Sequence, residues 1–298
     1  MKSLKLESTA DAGILIGVIL LAGFLIAWPL LGLWEAVRGF LAELVVLAAM
    51  FYIARQYLPW EDAPRERIAS PKRELALALV GFAVFFIGWP LLLPVGDVEA
   101  LYLNLMFATA ALLAFTAAAL LPFRYSLKAW GLRWPTRREL LVLLAVAAVG
   151  IGLSLLLGSL LPASEAPEMV TPARPLMPGA LLWSFWRSAA QDTSSMGLVL
   201  GVFLLSVIGQ ELYFRVYLQA RLAHYLPGRW ALFAQAALYF AASLLPLFLL
   251  VSGLPPAFML TQAAVLSNGV LAGYFWRKTG SLPLLVLLHL LAFVRWGL

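Results

Sequence analysis

Polar residues are sparse along this chain. Between them run apolar stretches of roughly 17–25 residues, the length a helix needs to cross a hydrocarbon core about 30 Å thick. Such stretches fall near 12–33, 37–57, 75–95, 101–123, 140–161, 196–220, 230–252, 257–276 and 281–297. Lipid offers no hydrogen bonds, so each segment has to satisfy its own backbone, and helix is the expected state. The pattern predicts an all-α fold, a polytopic membrane bundle of about eight or nine transmembrane helices. Glu43 interrupts the second stretch. Pro246, with Pro255 and Pro256, makes the seventh and eighth readable as a broken or re-entrant pair. The first stretch follows Lys2 and Lys5 as a signal peptide would, but it is too long for one and no small-residue cleavage site follows. A retained span is expected there.

Composition supports this reading. Of 298 residues, 63% are hydrophobic and 12% charged, a balance that a water-soluble domain holds only by exposing a very large apolar surface. The absence of cysteine excludes a disulfide framework, a thiolate metal site and a cysteine nucleophile. A transition-metal site would have to use both histidines, His224 and His289, together with carboxylates. No metal and no cofactor are expected. The net charge of +6 is spread over the flanks of apolar segments rather than gathered in one stripe, so a bilayer and not a nucleic acid is the expected partner.

If the spans alternate, Lys2, Lys5 and the basic residues of 55–73, 124–138, 221–229 and 277–278 share one side. The other side receives Arg38, Arg174, Arg187 and Arg295. Basic loops stay in the cytoplasm, so the N-terminus is expected inside and the C-terminus outside a cytoplasmic or inner membrane. The chain divides into N-terminal spans over 1–139 and a C-terminal core over 140–298. The longest polar connection, 162–195, lies on the outer side. It is proline-rich and carries Glu165, Glu168, Asp192, Trp183, Phe185 and Trp186. The aromatic residues suit a short helix at headgroup level, and a disordered loop is the alternative. No internal repeat of the kind that marks many transporters is visible.

An ionisable side chain inside a span is costly, so each one is a candidate site residue. Glu43, Glu211, Arg215 and His289 qualify, with Gln210, Gln235, Gln262 and Asn268 as uncharged companions. Glu211 and Arg215 are spaced i,i+4, which puts carboxylate and guanidinium on one helical face. They can pair, either as part of a site or as a lock on helix packing. His289 stands among leucines, where a neutral, hydrogen-bonded histidine is the ordinary occurrence. His224 follows Arg221 and reads as a loop residue at headgroup level.

The segment Gln210-Glu211-Leu212-Tyr213-Phe214-Arg215 resembles the E-E-x-x-x-R motif of the CAAX protease and bacteriocin-processing (CPBP) family. Leu238 to Leu244 falls where that family has F-x-x-x-H. The run from Gly273 to Leu282, leading to His289, is similar to its approach to H-x-x-x-N, and Ser126 to Arg133 is similar to a segment these proteins often carry ahead of the core. The resemblance covers about 198–298. It implies intramembrane endopeptidases in which a glutamate and a histidine activate water, while the last histidine and asparagine hold the oxyanion.

This sequence departs from that pattern at three positions. Gln210 replaces the first glutamate and cannot accept a proton as a general base. Leu244 stands at the histidine position of the second motif. Phe293 stands at the asparagine position of the third, which removes a donor typically worth about 2.7–4 kcal/mol to a transition state. Glu211, Arg215, Phe240 and His289 are retained. The expectation is a catalytically degenerate member that binds a transmembrane segment or a lipid-like chain without cutting it. An active endopeptidase with an altered constellation is the rival reading. In that reading Asn268 would stand in as donor, and a Glu211 freed from Arg215 would act as base.

Overall fold

The computed structural model describes residues 35–58, 68–92, 98–127, 129–160, 193–250 and 256–297. Among the described residues the chain is helical and contains no strand. Helix α1 is Glu35–Tyr57, and α2 is Pro71–Leu92 with a π-helical stretch at Val84–Gly88. Helix α3 is Val98–Leu120, closed by a 3₁₀ turn at Leu121–Phe123, and α4 is Arg137–Leu160. Helix α5 runs over 193–225, with Thr193–Glu211 and Ala220–Tyr225 flanking a π-helical stretch at Leu212–Gln219. Gly228–Leu250, Pro256–Thr279 and Leu282–Gly297 are α6, α7 and α8.

Each helix from α1 to α8 coincides with an expected span. The expected first span, 12–33, and the aromatic stretch at 183–186 lie outside the described residues. Among the described residues four segments are long and apolar enough to cross a membrane: Pro71–Leu92, Met106–Phe123, Arg137–Leu157 and Leu200–Tyr225. Trp230–Ser243 and Leu282–Ala292 are shorter apolar helices. Pro246 does not break α6, which continues to Leu250. Residues 221–225, expected in a loop, are the last turns of α5, with His224 exposed and its ring edge-on to Tyr225.

The helix ends follow from local chemistry. Thr136 and Glu139 form a reciprocal capping box at the start of α4, with the Thr136 amide donating to Glu139 Oε2 at 2.7 Å and the Glu139 amide to Thr136 Oγ1 at 3.3 Å. Pro90 in α2 has no amide proton and its ring crowds the carbonyl one turn back, and the π-helical stretch lies just ahead of it. Helix α7 closes on Gly280 at φ +59°, the left-handed position that favours glycine.

Two apolar clusters build the bundle, and α5 divides them. The first joins α1, α4, α7 and α8 to Leu212 and Val216; the second joins α2, α3 and α6 to Tyr213, Phe214, Tyr217 and Leu218. More than half of the most apolar stretch of α5 is buried, against roughly a third or less in the other three candidate spans. Gln210, Glu211 and Arg215 thus ride on the most enclosed of these four spans. Its contact with α3 depends on Gly209, where a Cβ would overlap the Thr109 carbonyl oxygen and stand 3.2 Å from the Leu113 amide nitrogen. Small residues at such crossings let two membrane helices pack backbone to backbone.

Candidate functional site

Of the retained motif residues, Glu211, Arg215 and His289 meet where α5 faces α8, with Tyr239 of α6 beside them. Glu211 and Arg215 are each 1% exposed. Arg215 Nε stands 3.3 Å from Glu211 Oε2, and its guanidinium carbon lies 4.1 Å from the centroid of the Tyr239 ring, a cation–π position. Glu211 Oε1 accepts from His289 Nδ1 at 2.6 Å. The carboxylate is therefore held from both sides, by a guanidinium on its own helix and by an imidazole 78 positions away. With Nδ1 donating, the second ring nitrogen of a neutral His289 carries the lone pair.

Gln210 belongs to a neighbouring chain of polar groups. Its amide nitrogen donates to Ser206 Oγ at 3.3 Å, and its carbonyl oxygen receives the Tyr239 hydroxyl at 3.4 Å. Ser206 Oγ in turn lies 2.5 Å from Thr109 Oγ1 on α3. Tyr239 touches both systems, stacking on Arg215 and reaching Gln210. Phe240 and Asn268 are half-buried on α6 and α7. Leu244 and Phe293 occupy helical positions on α6 and α8, and their side chains lie outside the described residues.

A second ion pair was not anticipated from the sequence. Glu74, in the first turn of α2, is fully buried and takes both Nε (2.8 Å) and Nη2 of Arg221. It also accepts from the Tyr125 hydroxyl at 2.6 Å and the Ser70 amide at 2.9 Å. Tyr217 donates to the Glu74 carbonyl at 2.8 Å and Tyr213 to the Ala78 carbonyl at 2.5 Å. Tyr213, Tyr217 and Arg221 recur at intervals of four, a polar stripe along α5 that was the available signal. Arg221, counted from sequence as a loop cation, is buried in this clasp.

The segment from Ser126 to Arg133 is a second fastening. Gly131 adopts φ +73°, and a Cβ there would come 2.6 Å from Trp276. Its carbonyl receives the Leu282 amide at 2.9 Å. Arg133 donates from Nε to the Thr279 carbonyl at 2.7 Å and pairs with Glu139 at 2.5 Å. The segment thereby ties the start of α4 to the turn between α7 and α8, on which His289 is carried.

A third polar group lies between α5, α6 and α7. Gln219 donates to the Gly273 carbonyl at 3.0 Å, while Gln219 Oε1 and both amide atoms of Gln235 have no hydrogen-bond partner among the described residues. Those residues also hold no cluster of three His, Asp or Glu side chains suited to a metal ion.

The arrangement defines a helical membrane protein whose carboxylate, guanidinium and imidazole converge within the bundle. The family model described as type II CAAX prenyl endopeptidase Rce1-like matches residues 192–293, which span α5 to α8 and carry every one of these groups. Over that segment the chain is similar to the CPBP family. No match was found among curated proteins or among solved structures.

Proposed function

We propose that the chain is a catalytically degenerate CPBP-family protein, a membrane-embedded scaffold or accessory subunit that binds a transmembrane segment or a lipid-like chain without cleaving it. In this reading it crosses the bilayer about nine times, with N-terminal spans over 1–139, a core over 140–298, the N-terminus inside and the C-terminus outside a cytoplasmic membrane. The observation that carries the reading is the engagement of Glu211. One oxygen faces Arg215, the other holds His289, and the side chain is almost fully enclosed. Gln210, at the position of the family's first glutamate, is bonded to Ser206 and Tyr239 and has no carboxylate to offer as a base.

The purified protein should leave prenylated CAAX-type peptides and model transmembrane substrates intact, and should retain a partner in fixed ratio when extracted from native membranes. A second reading is favoured by one distance. The 2.6 Å contact of Glu211 with His289 Nδ1 is the geometry by which a carboxylate orients an imidazole to act as base, so an endopeptidase with a relocated dyad is the alternative. Specific, chelator-insensitive cleavage that vanishes in both His289→Ala and Glu211→Gln would establish that alternative and end the scaffold reading.

A further inference from the structure

Among the described residues, one end of the bundle has an uneven charge balance. The contacts of Glu74 with Arg221 and Tyr125, and of Arg133 with Glu139 and Thr279, gather there the starts of α2, α4 and α8 and the ends of α3, α5 and α7. Among the described residues its two carboxylates are withdrawn from the surface, Glu74 into the Arg221 pair and Glu139 into the Arg133 pair. Five basic side chains stay outside. Lys72, Arg73, Arg124, Arg137 and Arg138 are exposed, and their side chains form no ion pair with a described residue.

Two further features sit among these cations. Trp134 is 86% exposed beside Leu127 and Leu132, also exposed, a composition suited to the boundary between headgroups and acyl chains. Arg124 is the one non-glycine residue with positive φ among the described residues, at +52°. Glycine or asparagine would hold that conformation at lower cost. A long cationic side chain stands where the backbone favours a short one, directly after the 3₁₀ turn that closes α3.

We propose that this end of the bundle is a binding surface for anionic phospholipid headgroups, with the five cations receiving the phosphates and Trp134 set at the interface. Basic side chains near an anionic surface gain about 1 kcal/mol each, or about fivefold in affinity. The test is native mass spectrometry of the full chain extracted from mixed vesicles of phosphatidylglycerol and phosphatidylcholine. Phosphatidylglycerol should be retained in excess, and the excess should fall by about two orders of magnitude in the triple variant Arg124→Gln, Arg137→Gln, Arg138→Gln. A salt titration of the unmodified chain should erase the excess. Equal retention of the two lipids, an excess unmoved by salt, or one that survives the triple substitution would each overturn the proposal. So would a co-purifying protein found on this face in place of lipid.

Discussion

Glu211 Oε1 and His289 Nδ1 stand 2.6 Å apart, and this contact joins α5 to α8 at the one carboxylate that also faces Arg215. Taken singly, Glu211 is a partner for Arg215 and His289 is a histidine among leucines. With Arg215 they form a three-member polar array whose members depend on one another.

That dependence gives the first expectation. Arg215→Met leaves Glu211 buried without its guanidinium, and Glu211→Leu strands the guanidinium, so either change should cost about 3–5 kcal/mol. The double change Glu211→Leu with Arg215→Met should do less harm than either alone. Thermal unfolding in detergent measures all three, and a double variant no better than the worse single one would contradict the coupling.

The clasp at the start of α2 is expected to behave similarly. Arg221→Met leaves the enclosed Glu74 carboxylate unpaired, for a loss of about 3–5 kcal/mol in unfolding free energy.

Tyr125 adds a pH dependence to that clasp. Burial first, and then its hydrogen bond to Glu74, raise the phenol above its ordinary value of 10.0. A pKa raised on folding contributes stability that is present below pH 10 and lost as the pH rises through the folded value. Stability should thus decline at alkaline pH, and Tyr125→Phe should lessen that decline. An identical alkaline profile in both proteins would rule the contribution out.

Gly209→Ala tests the crossing of α3 and α5. The added methyl overlaps the Thr109 carbonyl oxygen, which belongs to backbone and cannot swing aside. The helices would have to separate, at about 1–3 kcal/mol or more for overpacking. The Ser206–Thr109 contact, one turn away, should be lost with it. Folded yield from membranes and the unfolding midpoint should both fall.

The glutamine cluster gives a pair of outcomes. Gln235 is fully buried with both amide atoms lacking a partner among the described residues, so Gln235→Leu should be neutral or stabilising because it removes unsatisfied polar atoms. Gly273→Ala would bring a Cβ to 2.9 Å from Gln235 Oε1 and 3.0 Å from Gln219 Oε1, the ends of flexible side chains, so it should destabilise only where both amides are held in place. The two midpoints, read side by side, decide whether the amide pair is a burden or a fixed contact.

The sequence by itself determined the class of protein. Long apolar stretches force helix because lipid offers the backbone no other hydrogen-bond partner, and α1 to α8 fall on the stretches that hydrophobicity marks. The i,i+4 spacing of Glu211 and Arg215 was equally legible, since 3.6 residues per turn fix their common face. The resemblance at 210–215 pointed to the segment that the family model matches. Periodicity carries no information about which helices face each other. The meeting of Glu211 with His289, the stacking of Arg215 on Tyr239, the withdrawal of Arg221 from the loop cations into the Glu74 clasp, and the reach of Gln210 through Ser206 to Thr109 all join different elements of the chain. Only the tertiary structure decided them, because a buried charge takes whichever partner packing brings within about 3 Å, and that partner stands at no fixed distance along the sequence.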